Sequence, residues 1–473
     1  MNQKVATYDI AVLGSGVGGY PAAIRAAQQG AKVAIIEAKD LGGTCLNVGC
    51  IPSKTMIAAG AEYNKIKHAS TFGITVENVT FDYSKMVDRK DRVVDTQRKG
   101  VEFLLNANGV KIYRGHGKFV SPNEIKVIGK DNAIIYAEKT IIATGSEPRV
   151  IPAFPCDGVT IHDSTSLLAN RKLPKSILIV GGGVIGCEFA SLFNNLGVEV
   201  TILELLPRIL PTEALVLSEE MVRLFTKRGI KIFTNVQVDK VEKQGNQAVA
   251  ILKDGKRYQA EMALISVGRT VNSANIGLES AGVLTNEKGA IQVNNRMETN
   301  VDGIYATGDV IGKWWLAHVA THQGIVAAMN ATGHREEMKY DAIPSVTYTT
   351  PEAASVGLSV EAAKEKGYDV VTGVFPFQPL GKAQAMAETD GFGQIVVDRR
   401  TGQILGAQVI GSEADVLIAE MAVAIENELT IECITQTVHA HPTLSEVWLE
   451  AAYIASGNPL HLPPKKKKAE AYA

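Results

Sequence analysis

The sequence predicts an α/β protein with two doubly wound nucleotide-binding units and an α+β domain after them, and three observations predict it. A strand, glycine turn, helix and second strand ending in an acid run from Tyr8 to Glu37. The same unit recurs from Ser176 to Glu204. From about Ile343 the pattern changes to alternating apolar and polar runs with helices between them, and no such glycine turn follows.

Each element of the first unit has a physical reason. Tyr8 to Leu13 is an apolar run of the buried-parallel-strand kind, and it leads into Gly14, Gly16 and Gly19. A helix pattern follows from Tyr20 to Gln29, then a strand from Lys32 to Ile36 that ends at Glu37. The glycines permit a tight turn, close approach of backbone to a pyrophosphate, and packing of helix on strand. The helix start offers free N–H groups, and Glu37 can accept from a ribose hydroxyl. A glycine turn alone could be an ordinary strand-to-helix connection. In this strand–turn–helix–strand setting it reads as a Rossmann-like dinucleotide site.

In the second unit Ser176 to Val180 is the strand, Gly181, Gly183 and Gly186 mark the turn, Cys187 to Leu196 is the helix, and Val198 to Leu203 leads to Glu204. Glu37 follows Gly14 by 23 positions, and Glu204 follows Gly181 by the same 23. Two such units imply two dinucleotides, and hydride transfer between two dinucleotides is flavin and nicotinamide chemistry. Glu204 would repel a 2′-phosphate, and no arginine stands beside it until Arg208, which favours NAD over NADP.

Two further strand ends fit a chain that leaves the flavin domain and returns to it. Thr140 to Ala143 runs into Thr144-Gly145-Ser146, and Gly303 to Ala306 runs into Thr307-Gly308-Asp309. Asp309 is expected at the ribityl or phosphate end of the flavin, with a helix from about Leu316 to Asn330 above it. Ala263 to Gly268, followed by Arg269, reads as the strand leaving the second domain. The expected segments are 1–147 for the first part of the FAD domain, 148–270 for the NAD domain, 271–342 for the return, and 343–473 for the last domain. In that domain strands are expected at 345–348, 370–377, 394–397 and 405–410, with helices on one face, a shape suited to pairing two subunits.

Length and charge bound the rest. A chain of 473 residues suggests about three domains. A net charge of −2 calls for neither nucleic acid nor an anionic surface as partner. The first residues lack a signal-peptide pattern and no run is long enough to span a bilayer, so a soluble, cytoplasmic protein without membrane contact is expected. Pro463-Pro464 and Lys465 to Lys468 read as a solvated terminus, or else as a weak electrostatic contact to a partner.

Five cysteines with scattered spacing argue against a secreted disulfide framework. Cys187 and Cys433 lie in helix-like apolar stretches and are expected in the core. Cys45 and Cys50 differ, because they sit close together in Leu41 to Lys54, LGGTCLNVGCIPSK, directly after the first nucleotide unit. A disulfide closing so short a loop removes little unfolded-state entropy, so it is a poor staple and a better two-electron carrier. Spacing alone leaves a packed pair of reduced thiols equally open. Their place beside the first unit favours redox use and assigns the flavin to that unit.

Such thiols need a base. Histidine titrates in the right range, and a carboxylate on its second nitrogen fixes the tautomer. His441 and Glu446, in His439-Ala440-His441-Pro442-Thr443-Leu444-Ser445-Glu446, supply the pair. His318, His322 and His439 read as ordinary packed or surface histidines. Cys45, Cys50, His439 and His441 are also residue types of a zinc site, but a closed zinc site would remove both thiolates from redox use, so no metal is expected.

GGTCLNVGCIPSK and HAHPTLSE together resemble the pyridine nucleotide–disulfide oxidoreductases, and within them the lipoamide dehydrogenase group, from Tyr8 to about Pro463. The resemblance implies FAD and NAD as cofactors, a homodimer, and oxidation of protein-bound dihydrolipoamide with reduction of NAD to NADH. It implies Cys45 as the interchange thiol and Cys50 as the thiol facing the flavin. Lys54 and Glu188 would pair by the reactive ring edge, and the His441–Glu446 dyad would come from the other subunit. For FAD it implies contacts from Gly14, Gly16, Gly19, Glu37, Ala38, Gly43, Thr44, Lys54, Gly117, Thr144, Gly145, Ser146, Asp309 and Ala317. For NAD it implies Gly181, Gly183, Ile185, Gly186, Glu188, Glu204, Val238, Gly268 and Arg269. A glutathione-reductase-like disulfide reductase is the alternative, although glutathione reductases typically carry arginine where Glu204 stands and an aromatic gate where Ile185 stands. No extra C-terminal cysteine pair of the mercuric or thioredoxin reductase kind is present. Thr270-Val271 departs from the Pro-containing stretch that the family often has after Arg269, and Trp314-Trp315 has no chemical account. No lipoyl domain precedes Tyr8, so the substrate arm is expected on a partner: the acyltransferase of a 2-oxo acid dehydrogenase complex or the glycine cleavage H protein.

Overall fold

A computed structural model describes residues 4–463. The chain forms two compact units, one from residues up to Ala59 with Thr80–Ser176 and Asp239–Lys339, the other from Gly60–Val79, Ile177–Val238 and Tyr340 onward. The lysine cluster after Pro464 lies outside the described residues.

The first unit is built on β1 (Lys4–Leu13), α1 (Gly19–Gln28), β2 (Val33–Glu37), α2 (Gly43–Val48), α3 (Cys50–Lys67, which runs on past Ala59), α4 (Tyr83–Ala107), β3 (Lys111–Arg114), β4 (His116–Ser121), β5 (Glu124–Ile128) and β6 (Ala133–Ile142). The strands form a sheet in the order β3-β2-β1-β6-β5-β4, with Ile304–Ala306 pairing β6 as well. β1, β2, β3, β6 and Ile304–Ala306 are parallel, while β4, β5 and β6 form an antiparallel meander. Ile10, Val12, Val33, Ile35 and Ile141 are buried, as parallel strands covered on both faces require. Register then does the functional work: Leu13 lies opposite Ile36 and Ile142, and Ala306 opposite Ile142. Four strands therefore end level, and Gly14, Glu37, Thr144 and Thr307 follow from one edge of the sheet. The C-terminal edge of parallel strands is where open α/β sheets bind ligands.

In the second unit Lys231–Phe233, Glu199–Leu203 and Ser176–Val180 are neighbours in that order, and the helix Val184–Asn195 follows the glycine turn. The last domain carries five antiparallel strands in the order Ser345–Thr347, Glu352–Gly357, Ile404–Gly411, Phe392–Asp398, Val370–Pro376. Glu352–Gly357 had no place in the sequence expectation. Helices Ala414–Glu426 and Glu446–Ala455 cover one face around a fully buried Trp448, whose Nε1 donates to Leu417 O at 3.0 Å. The other face is buried too, with Val396 and Leu405 packed near the helix Val360–Glu365 and Gln394 Nε2 donating to Gln408 Oε1 at 3.0 Å. Helices on a single face were expected; the two central strands are instead buried along almost their whole length.

Cys187 is buried as expected, but Cys433 is exposed. Ile431 and Ile434, three residues apart on the helix Ile431–Gln436, take the inward side and turn Cys433 out. No described helix is long and apolar enough to cross a membrane.

Candidate active site

At the aligned strand ends the backbone forms a cradle. Gly14 N donates to Ile36 O at 2.8 Å and Ala143 N to Leu13 O at 2.8 Å, so the glycine turn hangs directly on the sheet. A methyl at Gly19 would stand 2.0 Å from Gly14 O, which makes glycine necessary for the start of α1 to close on the turn. Gly43 has φ +63°, and a methyl there would lie 2.5 Å from Gly16 Cα. Beside Gly16 the space is open, Gly43 Cα being the nearest atom a methyl would meet, at 3.8 Å. Thr307 Oγ1 is buried at the same edge and takes no hydrogen-bond partner among the described residues. Ala317 opens the helix Ala317–Ala331, Gly117 packs against Leu13 and Ile36, and Ala38 is exposed just after Glu37. An open groove lined by backbone, two helix starts and an orphaned hydroxyl fit a dinucleotide with its pyrophosphate. Gly43→Ala is expected to lower bound flavin in the purified protein several-fold while the secondary structure persists, read by flavin absorbance and circular dichroism; full flavin content would show that the approach of Gly43 to Gly16 is dispensable.

The acid of each nucleotide unit has a role that the sequence reading missed. Glu37 Oε2 accepts from Ser15 N at 2.8 Å and Ser15 Oγ at 2.6 Å, and Oε1 accepts from Lys39 N at 2.8 Å. Glu204 Oε2 accepts from Gly182 N at 2.5 Å, and Oε1 from Leu206 N at 2.7 Å. Both acids therefore tie the end of the second strand to the residue after the first glycine, besides being placed for a ribose. In the second unit Gly181 N donates to Leu203 O at 2.9 Å, the counterpart of the Gly14 bond. Gly183, Ile185, Gly186 and Glu188 follow on the helix start, with Glu188 buried and accepting from Tyr348 N at 3.2 Å. Val238 opens the strand Val238–Gln244.

Gly268 and Arg269 were expected among NAD contacts, and the structure places them in the first unit with the residues expected around FAD. The strand Arg269–Val271 pairs antiparallel with Ser146–Pro148, so the chain leaves and re-enters through one two-stranded ribbon. Arg269 Nε donates to Ser146 Oγ at 2.7 Å, and Nη2 donates to Ser146 O at 2.8 Å. Ser146 Oγ donates in turn to Asp309 Oδ2 at 2.5 Å. Burial pushes the Asp309 carboxyl up from its ordinary range, against the pull of the Ser146 hydroxyl and the Arg269 charge. Thr144 Oγ1 donates to Asn272 O at 2.7 Å and Asn272 N to Gly145 O at 2.9 Å, so Asn272 closes the ribbon, and Thr270 and Val271 serve as strand residues within it.

Cys45 is the third residue of α2, and Cys50 is the first of α3. Gly49 between them lets the chain double back, since a methyl there would stand 2.9 Å from Thr44 O and 3.1 Å from Cys45 Cα. Asn47 Nδ2 donates to Leu41 O and Gly43 O, each at 2.9 Å, and Arg98 Nε donates to Asn47 Oδ1 at 3.1 Å, which pins the short helix. Thr44 Oγ1 reaches Ser146 O at 3.3 Å. Cys45 and Cys50 are not joined in a disulfide, and their side chains are hydrogen-bonded to each other. That bond to Cys50, and then burial, push the Cys45 thiol far above its ordinary range, while the Lys54 ammonium acts in the opposite direction. Cys50 stands at the positive end of an 18-residue helix, which favours negative charge there.

His441 Nδ1 lies 2.8 Å from Glu446 Oε1, and Glu446 Oε2 accepts from Thr443 N at 2.9 Å. The carboxylate, fixed at the start of the last long helix, holds the ring through one nitrogen. The His441 side chain is 75% exposed, so Nε2 faces outward for an incoming group. His439 is different: its side chain is only 5% exposed, with Nε2 on Glu420 at 3.0 Å and Nδ1 on Thr437 O at 3.0 Å. Among the described residues no group of three or more His, Cys, Asp or Glu is placed to hold a metal ion.

Family models decide what this arrangement belongs to. Residues 8–324 match the pyridine nucleotide-disulphide oxidoreductase model, and residues 343–452 match the dimerisation domain of the same group. The chain belongs to the pyridine nucleotide-disulphide oxidoreductase family. A curated dihydrolipoyl dehydrogenase from Chlamydia pneumoniae is 50% identical over 458 residues, covering 97% of this chain and 99% of that protein. One from Bacillus subtilis is 42% identical over 470 residues, covering 96% and 99%. Among solved structures, LpdA from Mycobacterium tuberculosis superposes with a TM-score of 0.89 at 28% identity, covering 95% of this chain and 99% of that one. The HOCl-induced flavoprotein disulfide reductase RclA from Escherichia coli gives 0.85 at 28% identity, covering 94% and 100%. As a member of this oxidoreductase family the chain carries its two nucleotide units ahead of the domain used for dimerisation.

Proposed function

We propose that the chain is a dihydrolipoyl dehydrogenase, a homodimeric flavoprotein that oxidises protein-bound dihydrolipoamide to lipoamide and reduces NAD to NADH. The observation that carries this reading is the Cys45–Cys50 pair: two sulfurs in mutual contact, beside a dinucleotide cradle, in a chain up to half identical along nearly its full length to proteins of that name. FAD, when bound, supplies the two-electron passage between the sulfur pair and the nicotinamide. Gly14, Gly16, Gly19, Glu37, Gly43, Asp309 and Ala317 are placed to hold it, and the turn from Gly181 to Gly186 with Glu204 to hold NAD.

The chain's own residues do the following. His441 Nε2 of the partner subunit takes the proton of one substrate thiol, and Glu446 keeps the ring in the tautomer that can accept it. The new thiolate attacks Cys45 Sγ of the disulfide, the Cys45–Cys50 bond breaks, and Cys50 leaves as a thiolate. The second substrate sulfur then attacks the first, the bond to Cys45 breaks, and lipoamide departs with its ring disulfide formed. Of the two substrate protons one ends on Cys45 and one on His441, and Cys50 holds the negative charge. The substrate arm belongs to a lipoyl domain of a 2-oxo acid dehydrogenase complex or of the glycine cleavage system.

A steady-state assay with dihydrolipoamide and NAD, with and without added FAD, tests the reading. NADH formation supports it; no NADH with flavin bound would overturn it. Glu204→Ala is expected to lower the preference for NAD over NADP by about tenfold, since it removes a negative acceptor worth about 1.5–3 kcal/mol in a charged hydrogen bond. The ratio of kcat/KM for the two nucleotides reads it, and an unchanged ratio would put the discrimination elsewhere.

A further inference from the structure

The second glycine turn is held through both backbone polar atoms of one residue. Gly182 N donates to Glu204 Oε2, and Gly182 O accepts from Leu210 N at 2.8 Å. Leu210 belongs to residues 205–214, which run back from Glu204 over the turn, and a methyl at Gly182 would stand 2.7 Å from Ile209 Cγ2. Leu210 is fully buried and has φ +48°, a left-handed conformation uncommon for a leucine. Such a conformation persists only where its surroundings over-determine it. Its N–H is committed to Gly182, and its carbonyl accepts from Glu213 N at 3.0 Å. Arg208 closes the loop on itself, its Nη1 donating to Glu213 O at 2.8 Å and its Nη2 to Pro211 O at 2.9 Å. Glu213 is buried in turn, and its carboxylate is shared: Oε1 accepts from Ser345 Oγ and Oε2 from Ser355 Oγ, each at 2.6 Å. Those serines stand opposite each other on the paired strands Ser345–Thr347 and Glu352–Gly357 of the dimerisation domain.

We propose that Glu213 is a positioning residue for the nicotinamide nucleotide: it ties the loop over the second glycine turn to the dimerisation sheet and so fixes the turn. The inference rests on the reading of that turn as the NAD site. A carboxylate suits the place, because two serine hydroxyls on paired strands present two donors side by side, and a buried anion is retained where such donors meet it. The same stretch of the dimerisation domain seats the helix behind the turn. Tyr348 N donates to Glu188 Oε1 at 3.2 Å, Thr350 N to Ser191 Oγ at 2.8 Å, and Asn195 Nδ2 to Thr350 Oγ1 at 3.0 Å. Glu188, Ser191 and Asn195 are three and four residues apart, on one face of the helix Val184–Asn195. The helix is therefore gripped independently of Glu213, and loss of the Glu213 carboxylate frees the loop alone. Leu210 then relaxes out of its left-handed conformation and Gly182 O loses its backbone donor, so the turn loosens while the nucleotide unit keeps its place.

Calorimetric titration of flavin-loaded protein with NAD tests this and needs no lipoamide turnover. Glu213→Ala is expected to raise the Kd for NAD about tenfold, equivalent to about 1.4 kcal/mol, with flavin content and the dithiol half-reaction within about twofold of the parent. Glu213→Gln, which can accept from one serine and donate to the other, is expected to stay within about threefold of the parent. Ser355→Ala removes one donor from an otherwise intact sheet and is expected to lie between the parent and Glu213→Ala. An NAD affinity in Glu213→Ala equal to the parent's would overturn the proposal. So would a Gln variant as weak as the Ala variant, or loss of flavin and of the dithiol half-reaction in step with NAD, which would mark a residue of the fold and not of the nucleotide site. A parent that binds NAD yet turns over no dihydrolipoamide leaves the brace standing and removes the substrate assignment; a parent that binds no NAD overturns the brace and the nucleotide assignment together.

Discussion

Cys45→Ser is expected to reduce dihydrolipoamide–NAD turnover by at least about 10³-fold while FAD remains bound, because one sulfur cannot form the bond that the substrate thiolate must break. The structure supports retention of the cofactor in that variant. The cradle is made by Gly14, Gly16, Gly43 and the level strand ends, and Ser at position 45 disturbs none of their backbone contacts. Purified protein with normal flavin absorbance but no NADH production is the result to look for. Turnover within a few-fold of the parent would remove the central role given to Cys45, and loss of flavin would show that the thiol holds the fold.

The second large effect belongs to His441. His441→Gln is expected to slow the dithiol half-reaction by about 10²–10⁴-fold, the usual scale for loss of a general base, and to leave re-oxidation by NAD within a few-fold. The geometry makes this split specific. Glu446 holds Nδ1 at 2.8 Å, so removing the ring leaves no base on that carboxylate, while the second nucleotide unit around Gly181 and Glu204 is untouched. Rapid-mixing measurement of each half-reaction separates the outcomes. Equal slowing of both would count against the base assignment, because only proton removal from the substrate thiol requires it. Glu446→Gln, which keeps the shape but not the charge, should fall between the parent and His441→Gln.

Much of this site was legible in the chain before any coordinates. The glycine turns, the acids 23 positions later, and the cysteine pair are local patterns, and local patterns state their geometry through backbone sterics and spacing. The helix and strand positions around both turns followed from periodicity within a few residues. Glu37 and Glu204 were legible as acids at the ends of strands, but their bonds to Ser15 and Gly182 were not, because a sequence names an acceptor without naming its donor. Cys433 was misplaced because the stretch around it was read as apolar, whereas only Ile431 and Ile434 of the helix Ile431–Gln436 take the buried side.

The sequence by itself determined that this protein carries two dinucleotide units, a pair of nearby thiols and a histidine with a carboxylate five residues on, since each depends on spacing over a few tens of residues or fewer. That Gly14, Glu37, Ser146 and Asp309 serve one site was already expected from the strand ends; tertiary structure alone decided that Arg269 is bonded to Ser146, which is bonded to Asp309. Those residues are separated by up to nearly 300 positions, and only strand register, set by which side chains must be buried together, brings such distant points of a chain into contact.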